Sequence, residues 1–328
     1  MNIIKYRTIF LIIAGLIVTA GVLIVGFLGL RLGIDFTGGS LLEVQYQVLP
    51  GRAEVEAVVQ QQNIGNFSVR QSNSETGTGY IITTRDLTEA ERSSLTEALL
   101  AIPGEGTISR FTSVGPTIGQ ELQDKAVWAI GAILLLIILY VAYAFAGIGT
   151  PVSSWIYGLL TIIILAHDIL VPIAAMSLLG FFFGYEVDVL FVTALLTILG
   201  YSVNDTIVIF DRIREKLKEN RTEEKTTITE PGGVVHTTIT YTLTKSFADI
   251  VGQAVSETMA RSINTSLTVL IALLALYIFG SSVTSTFALV LIVGMLAGAY
   301  SSIFIASPLL VVYEQWNTNR KAQSAETT

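Results

Sequence analysis

The chain has 328 residues, 52% of them hydrophobic and only 14% charged, a balance that removes it from the ordinary soluble domains and puts it among membrane-embedded proteins. Its formal charge of −7 argues against a nucleic-acid partner, because no basic patch is large enough to neutralise several phosphates. Cysteine is absent, which excludes disulfides, thiol nucleophiles and cysteine-based metal sites, and the two histidines, His167 and His236, stand in no metal-ligand spacing.

Residues 8–30 are uncharged, lie between Lys5 and Arg7 on one side and Arg31 on the other, and are long enough to cross about 30 Å of hydrocarbon. The apolar run exceeds the core of a signal peptide and ends in no small-residue cleavage site, so a retained first span is predicted. Lys5 and Arg7 put residues 1–32 down as a cytoplasmic N-terminus plus this span. GIDFTGG follows at 33–39 and opens a region of soluble composition that runs to residue 124. Within it Leu42, Val44, Tyr46 and Val48 alternate with more polar neighbours, the period of a half-buried strand. A helix is predicted over 52–62, strands over 67–71 and 79–84, and a helix over 88–101 with a capping box from Thr88 to Glu91. A last strand over 107–113 completes a β-α-β-β-α-β order, that of a small α+β ferredoxin-like domain beyond the first span.

VGPTIGQEL at 114–122 returns the chain to the membrane, and residues 125–210 are predicted to hold three spans: 126–146, 152–179 and 189–210. Gly147, Gly149 and Pro151 punctuate the first two as a tight turn. The third span carries His167 and Asp168, and the fourth carries Asn204 and Asp205. A carboxylate at a span centre costs about 2.5–3.5 kcal/mol on insertion scales, so an acid at this depth reads first as functional. Residues 211–260 are polar and rich in Lys and Arg, which places them in the cytoplasm in agreement with the parity of the spans. Threonine-rich alternating runs around Pro231-Gly232-Gly233 read as a hairpin, and 247–259 as an amphipathic helix leading to a fifth span over 263–279. Residues 261–313 hold the fifth and sixth spans, and 314–328 form a cytoplasmic tail. The predicted fold class is thus an α-helical polytopic membrane protein of six spans with one α+β ferredoxin-like extracytoplasmic domain between the first two.

These landmarks together resemble the SecF branch of the SecD/SecF family of protein-export membrane proteins, within the resistance-nodulation-division (RND) superfamily. The residues that carry the resemblance are GIDFTGG at 33–39, VGPTIGQEL at 114–122, His167-Asp168, GYSVNDTIVIFDRIRE at 200–215, and the segment from Ser256 through Arg261-Ser262 to Ser266. The resemblance implies half of an RND-type unit that pairs with SecD, docks on the SecYEG channel in a bacterial or archaeal plasma membrane, and has YajC, membrane lipids and the SecA-driven preprotein as further partners. It implies no enzyme chemistry and no cofactor, the proton being the coupling ion that drives late steps of export. Asp205 and Arg261 inherit the proton-relay roles. The loop at 211–260 departs from the family by a surplus over about 226–244.

The chemistry asked of those residues is reversible protonation. Burial raises a carboxyl's affinity for its proton and a nearby cation lowers it, so an Asp that alternately meets and loses an Arg takes up and releases a proton. Asp205 lies six residues inside Asp211, about 9 Å, and Arg261 opens the fifth span from the same side. Arg261 either reaches inward to Asp205 or snorkels to the headgroups. Asn204 can hydrogen-bond the acid or a neighbouring helix. Asp168 is expected about 25 Å from the inner end of its span, deeper than Asp205, with His167, Thr193 and Thr197 as polar steps between them. Asp211 and Arg212 form a charged helix end, either solvated or coupled to the loop. Gly33, Asp35, Phe36, Gly38 and Gly39, with Gly115 and Pro116, are the motif positions of the two connections to the domain. No GxxxxGK[ST] loop is present, so ATP is not the direct energy source. A proton-coupled exporter of small molecules or lipids, and a passive scaffold with a structural acid, are the competing readings.

Overall fold

The computed structural model describes residues 3–74, 77–144, 152–229 and 235–326. The predicted turn at 147–151 and the tip at Pro231-Gly232-Gly233 lie outside them.

Among the described residues, six helical segments are long and apolar enough to cross a membrane, which makes this a multi-pass membrane protein. The first is α1 (Arg7–Leu28). A four-residue turn of helix, α2 (Ile34–Thr37), occupies the middle of GIDFTGG. The α/β unit follows as β1 (Gly39–Tyr46), α3 (Arg52–Gln61), β2 (Phe67–Ser74), β3 (Gly77–Thr84), α4 (Glu89–Leu100) and β4 (Gly106–Val114). The four strands form one antiparallel sheet in the order β2-β3-β1-β4. Thr88 and Glu91 close the predicted capping box at α4.

One face of the sheet packs Leu42, Val44, Tyr46, Val69, Tyr80 and Ile82 against Val55 and Val59 of α3 and Leu95 and Leu99 of α4. Tyr46 and Tyr80 bury their rings there and donate their hydroxyls to the carbonyls of Leu99 (3.0 Å) and Pro50 (2.8 Å). The predicted half-buried β1 is in fact covered on both faces. Its second face, with Leu41 and Glu43, looks into a cavity closed by the ends of the membrane helices. The buried Glu43 carboxylate is met there by the Ser72 hydroxyl at 2.8 Å.

The chain re-enters the bundle through α5 (Pro116–Ala144). This helix starts ten residues before the predicted second span, because Pro116 sits at its first position, where a missing N–H costs no intrahelical bond. The expected division at 124/125 therefore falls inside a helix. Next come α6 (Ser154–Phe183) and α7 (Val189–Glu219). Then β5 (Arg221–Thr229) pairs antiparallel with β6 (Val235–Leu243), so the predicted hairpin is present. In α8 (Phe247–Phe279) the predicted amphipathic helix and the fifth span are one continuous helix. The sixth span is α9 (Ser282–Ser301), a π-helical turn over Ser302–Ala306, and α10 (Ser307–Glu326).

Whereas the fourth span was expected to end at Phe210, α7 runs on to Glu219. Its charged end is held by Arg212, which pairs with Glu215 on its own helix and Glu257 on α8, and by Lys216, 3.4 Å from Glu257. Asp211 remains exposed. The most covered membrane helices are α6, α7 and the α9–α10 pair, while α1, α5 and α8 leave most of their surface open. At the α7–α9 crossing a Cβ on Gly294 would overlap the Ile198 side chain, so only glycine lets these two helices approach so closely.

Candidate functional site

The bundle core is built around Asp168, which is fully buried on α6. Three neighbours point hydrogen-bonding groups at it. His167 Nδ1 lies 2.8 Å from Oδ1, while the hydroxyls of Ser202 on α7 and Ser301 on α9 both donate to Oδ2, Ser301 at 2.7 Å. This set saturates a carboxylate taken out of water, whose burial without partners would be prohibitive. If Nδ1 carries the imidazole proton, His167 Nε2 is left as a buried acceptor with no partner among the described residues.

Asp205 sits on the same buried face of α7, one turn from Ser202, a rise of about 4.5 Å. Ser266 of α8 donates to its Oδ2 at 3.4 Å. The separation between the two acids is smaller than the sequence implies: Asp168 is bonded to Ser202, which lies one turn, about 4.5 Å, from Asp205 along α7. Apolar composition stops at Phe210, but α7 does not.

Thr193 and Thr197 are exposed and donate to the carbonyls of Val189 (3.0 Å) and Thr193 (2.8 Å) on their own helix. The hydroxyls that reach the two acids are those of Ser202, Ser266 and Ser301. Helical phase decides this, since Ile198, Ser202, Asp205 and Ile209 share the covered face of α7, and Thr193, Thr197, Tyr201 and Asn204 the open one. Asn204 accordingly makes no hydrogen bond to Asp205. Arg261 is exposed on α8, interacts with Asp205 through space, and forms no ion pair with it within 4.0 Å. Thr206 Oγ1 and Ser262 Oγ, buried beside Asp205 and one turn before Ser266, have no hydrogen-bond partner among the described residues.

A second polar cluster joins the α/β unit to the bundle. Glu186, in the α6–α7 connection, accepts from Ser68 Oγ of β2 at 3.1 Å and Thr83 Oγ1 of β3 at 3.4 Å, and Arg70 stacks on the Tyr185 ring at 4.5 Å. Burial raises the Glu186 carboxyl above the usual glutamate value, against the opposing hydroxyls and the charges of Arg70 and Arg31. Asp188 caps α7 by accepting from Phe191 N at 2.8 Å. It too is raised, first by burial and then by the neighbouring Asp35, against the Phe191 N–H and Arg110. The motif residues form the turn at this joint. Gly38 has φ +72° and Gly39 φ +138°, and a Cβ on Gly38 would stand 2.7 Å from Pro116 Cα, so α2 lies directly on the start of α5. Gly33 N donates to Val187 O at 2.8 Å, and Phe36 is buried among Met176, Phe191 and Leu195. Gly115 precedes Pro116 at the helix entry.

Fold and site together define a multi-pass membrane protein with ionisable side chains buried inside its bundle and an α/β unit clamped to one end of it. Residues 95–247 and 233–316 match the family model described as "Protein export membrane protein SecD/SecF, C-terminal", and residues 23–48 match the "SecD/SecF GG Motif". The chain belongs to the SecD/SecF family of protein-export membrane proteins. It is 37% identical over 323 residues to the protein translocase subunit SecF of Thermobaculum terrenum, covering 96% of this chain and 94% of the relative. It is 36% identical to that of Anaerolinea thermophila, again with 96% and 94% covered. The crystal structure of SecDF, a translocon-associated membrane protein from Thermus thermophilus, superimposes with a TM-score of 0.77 at 30% identity, covering 96% of this chain and 39% of the SecDF chain.

Proposed function

We propose that this chain is the SecF-type half of a proton-driven accessory unit of the Sec translocase. It pairs with SecD, docks on SecYEG, and draws on the proton gradient to promote late steps in the export of chains that SecA has pushed. The carrying observation is a pair of buried acids close together in the bundle: Asp168, bonded to Ser202 and Ser301, and Asp205, one turn along α7 from Ser202 and bonded to Ser266. A carboxyl so placed takes a proton when shielded from cations and gives it up when Arg261 swings inward, while the unpartnered Thr206, Ser262 and His167 Nε2 offer the hydrogen-bonding positions a proton path needs. Proton coupling needs no further cofactor and no covalent catalysis.

The case for a SecD partner rests on two supports. Relatives named SecDF carry both names in one chain, of which this chain covers 36% in Thermus thermophilus. The open face of α7 and α8 bears Thr193, Thr197, Asn204, Arg261, Asn264, Thr265 and Thr268, a polar stripe unsuited to lipid and suited to a facing half-bundle. The sheet order β2-β3-β1-β4 with α3 and α4 on one face supports reading the α/β unit as ferredoxin-like. The basic residues of the hairpin end support a reading in which that end and both termini are cytoplasmic and the α/β unit lies outside the plasma membrane. YajC and surrounding lipids complete the proposed surroundings.

The test is export into membrane vesicles that contain this chain and SecD, with and without a proton gradient, comparing wild type with Asp205→Asn. Loss of the gradient-dependent part of export, with assembly retained, is the expected result. Normal export by the variant would make Asp205 structural and end the proton-carrier reading.

A further inference from the structure

The first N–H groups of a helix lack intrahelical acceptors, and at α7 one of them is satisfied from a distant part of the chain. Asp35, at the centre of α2, accepts from Val189 N at 3.0 Å, so GIDFTGG caps the very helix that carries Asp205. The contact is one of three at the same point. The exit of α1 pairs with the entry of α7 as a short parallel bridge between Leu32 and Val187, through Gly33 N to Val187 O and Val187 N to Arg31 O, both 2.8 Å. Phe36 wedges against Phe191 and Leu195 on the first turns of α7. The segment that makes these contacts leads through Gly38 and Gly39 straight into β1 at the sheet centre. From Val189 to Asp205 is 16 residues without a proline, about 24 Å of continuous helix, whereas α6 contains Pro172 and the sixth span a π-turn.

We propose that Asp35 is a positioning residue for the fourth span: by capping Val189 it ties α7 to the α/β unit, so that displacement of that unit moves Asp205 along the bundle as one rod. The inference rests on the proton-carrier reading of Asp205 for its purpose, but not for its geometry. Either carboxylate or amide oxygen serves as the acceptor, and proline, which has no N–H to donate, is compatible with the first position of a helix.

Because the chain contains no cysteine, Asn204→Cys supplies a single thiol on the open face of α7 beside Asp205. Its alkylation rate is measured in vesicles holding the full chain and SecD, in backgrounds carrying Asp35→Ala, Asp35→Asn, Val189→Pro, or Arg52→Ala as a control on an exposed helix of the α/β unit. A several-fold change in rate is expected for Asp35→Ala and for Val189→Pro, with Asp35→Asn and Arg52→Ala close to wild type. An unchanged rate in both Asp35→Ala and Val189→Pro overturns the proposal, and so does an Asp35→Asn that behaves like Asp35→Ala. Export measured alongside separates the two readings, since a thiol response to Asp35 with normal export in Asp205→Asn leaves the positioning role standing and removes only the proton-carrier reading.

Discussion

Asp168 illustrates how a membrane core tolerates an acid. Its two oxygens receive Ser202, Ser301 and His167, none of which can be replaced by solvent at zero exposure. Hydrogen bonds to charged groups contribute about 1.5–3 kcal/mol each, and a buried carboxylate deprived of a donor keeps its desolvation cost. Ser202→Ala is therefore expected to lower stability by about that amount, read as denaturant unfolding in detergent. The same change in an Asp168→Asn background is expected to cost markedly less, since the amide carries no charge to strand. Equal losses in the two backgrounds would mean that Ser202 acts through packing alone.

At the scale of elements, the α6–α7 connection binds the sheet to the bundle through titratable groups. Glu186 faces Ser68, Thr83, Arg70 and Arg31, and Asp188 faces Asp35, Arg110 and the Phe191 N–H. Both carboxyls are raised, so the folded protein binds these protons more tightly than the unfolded chain does. Stability is accordingly full below the ordinary carboxyl range and declines as pH rises from there through the raised values. Glu186→Gln removes the group's ionisation while keeping an acceptor for one hydroxyl. Its thermal midpoint is expected to match wild type in acid and to exceed it near neutrality. A variant that tracks wild type at every pH would show that Glu186 contributes nothing to the pH dependence. Asp35→Asn should act in the same direction on Asp188, by removing the neighbouring charge that helps to raise it.

The whole molecule reads as one side of a larger assembly. Three of the six membrane helices among the described residues are largely uncovered, and the uncovered surface of α7 and α8 carries polar side chains, among them Thr197, Asn204, Arg261 and Asn264, beside apolar ones such as Ile263 and Leu267. That face holds Asn204 and Arg261, both singled out in the sequence for chemistry with Asp205 and both turned outward instead. With single cysteines at Thr197 or Asn204, cross-linking to SecD is expected in vesicles, while a cysteine at Leu135 on the open face of α5 remains uncross-linked. Cross-linking confined to Leu135 would move the partner to the other side of the bundle.

Hydrocarbon thickness and the cost of bare backbone in lipid are constraints that act on local sequence, and for that reason the six spans, the hairpin and the βαββαβ order are all legible in the sequence. The same holds for the cap at Thr88 and for the outlying acids at 168 and 205, since each is a departure visible within one segment. Helix phase and the meeting of segments were not legible. Ser202 and Ser301 look like ordinary small residues until α6, α7 and α9 come together, α7 outlasts its apolar stretch because Glu257 and Glu215 hold Arg212, and β1 is buried on its second face only because the bundle lies beneath it. The chain's local chemistry determined what crosses the membrane and which acids it carries. Tertiary packing alone decided which hydroxyls serve those acids, because hydrogen bonds between helices depend on rotation and axial register that no single segment encodes.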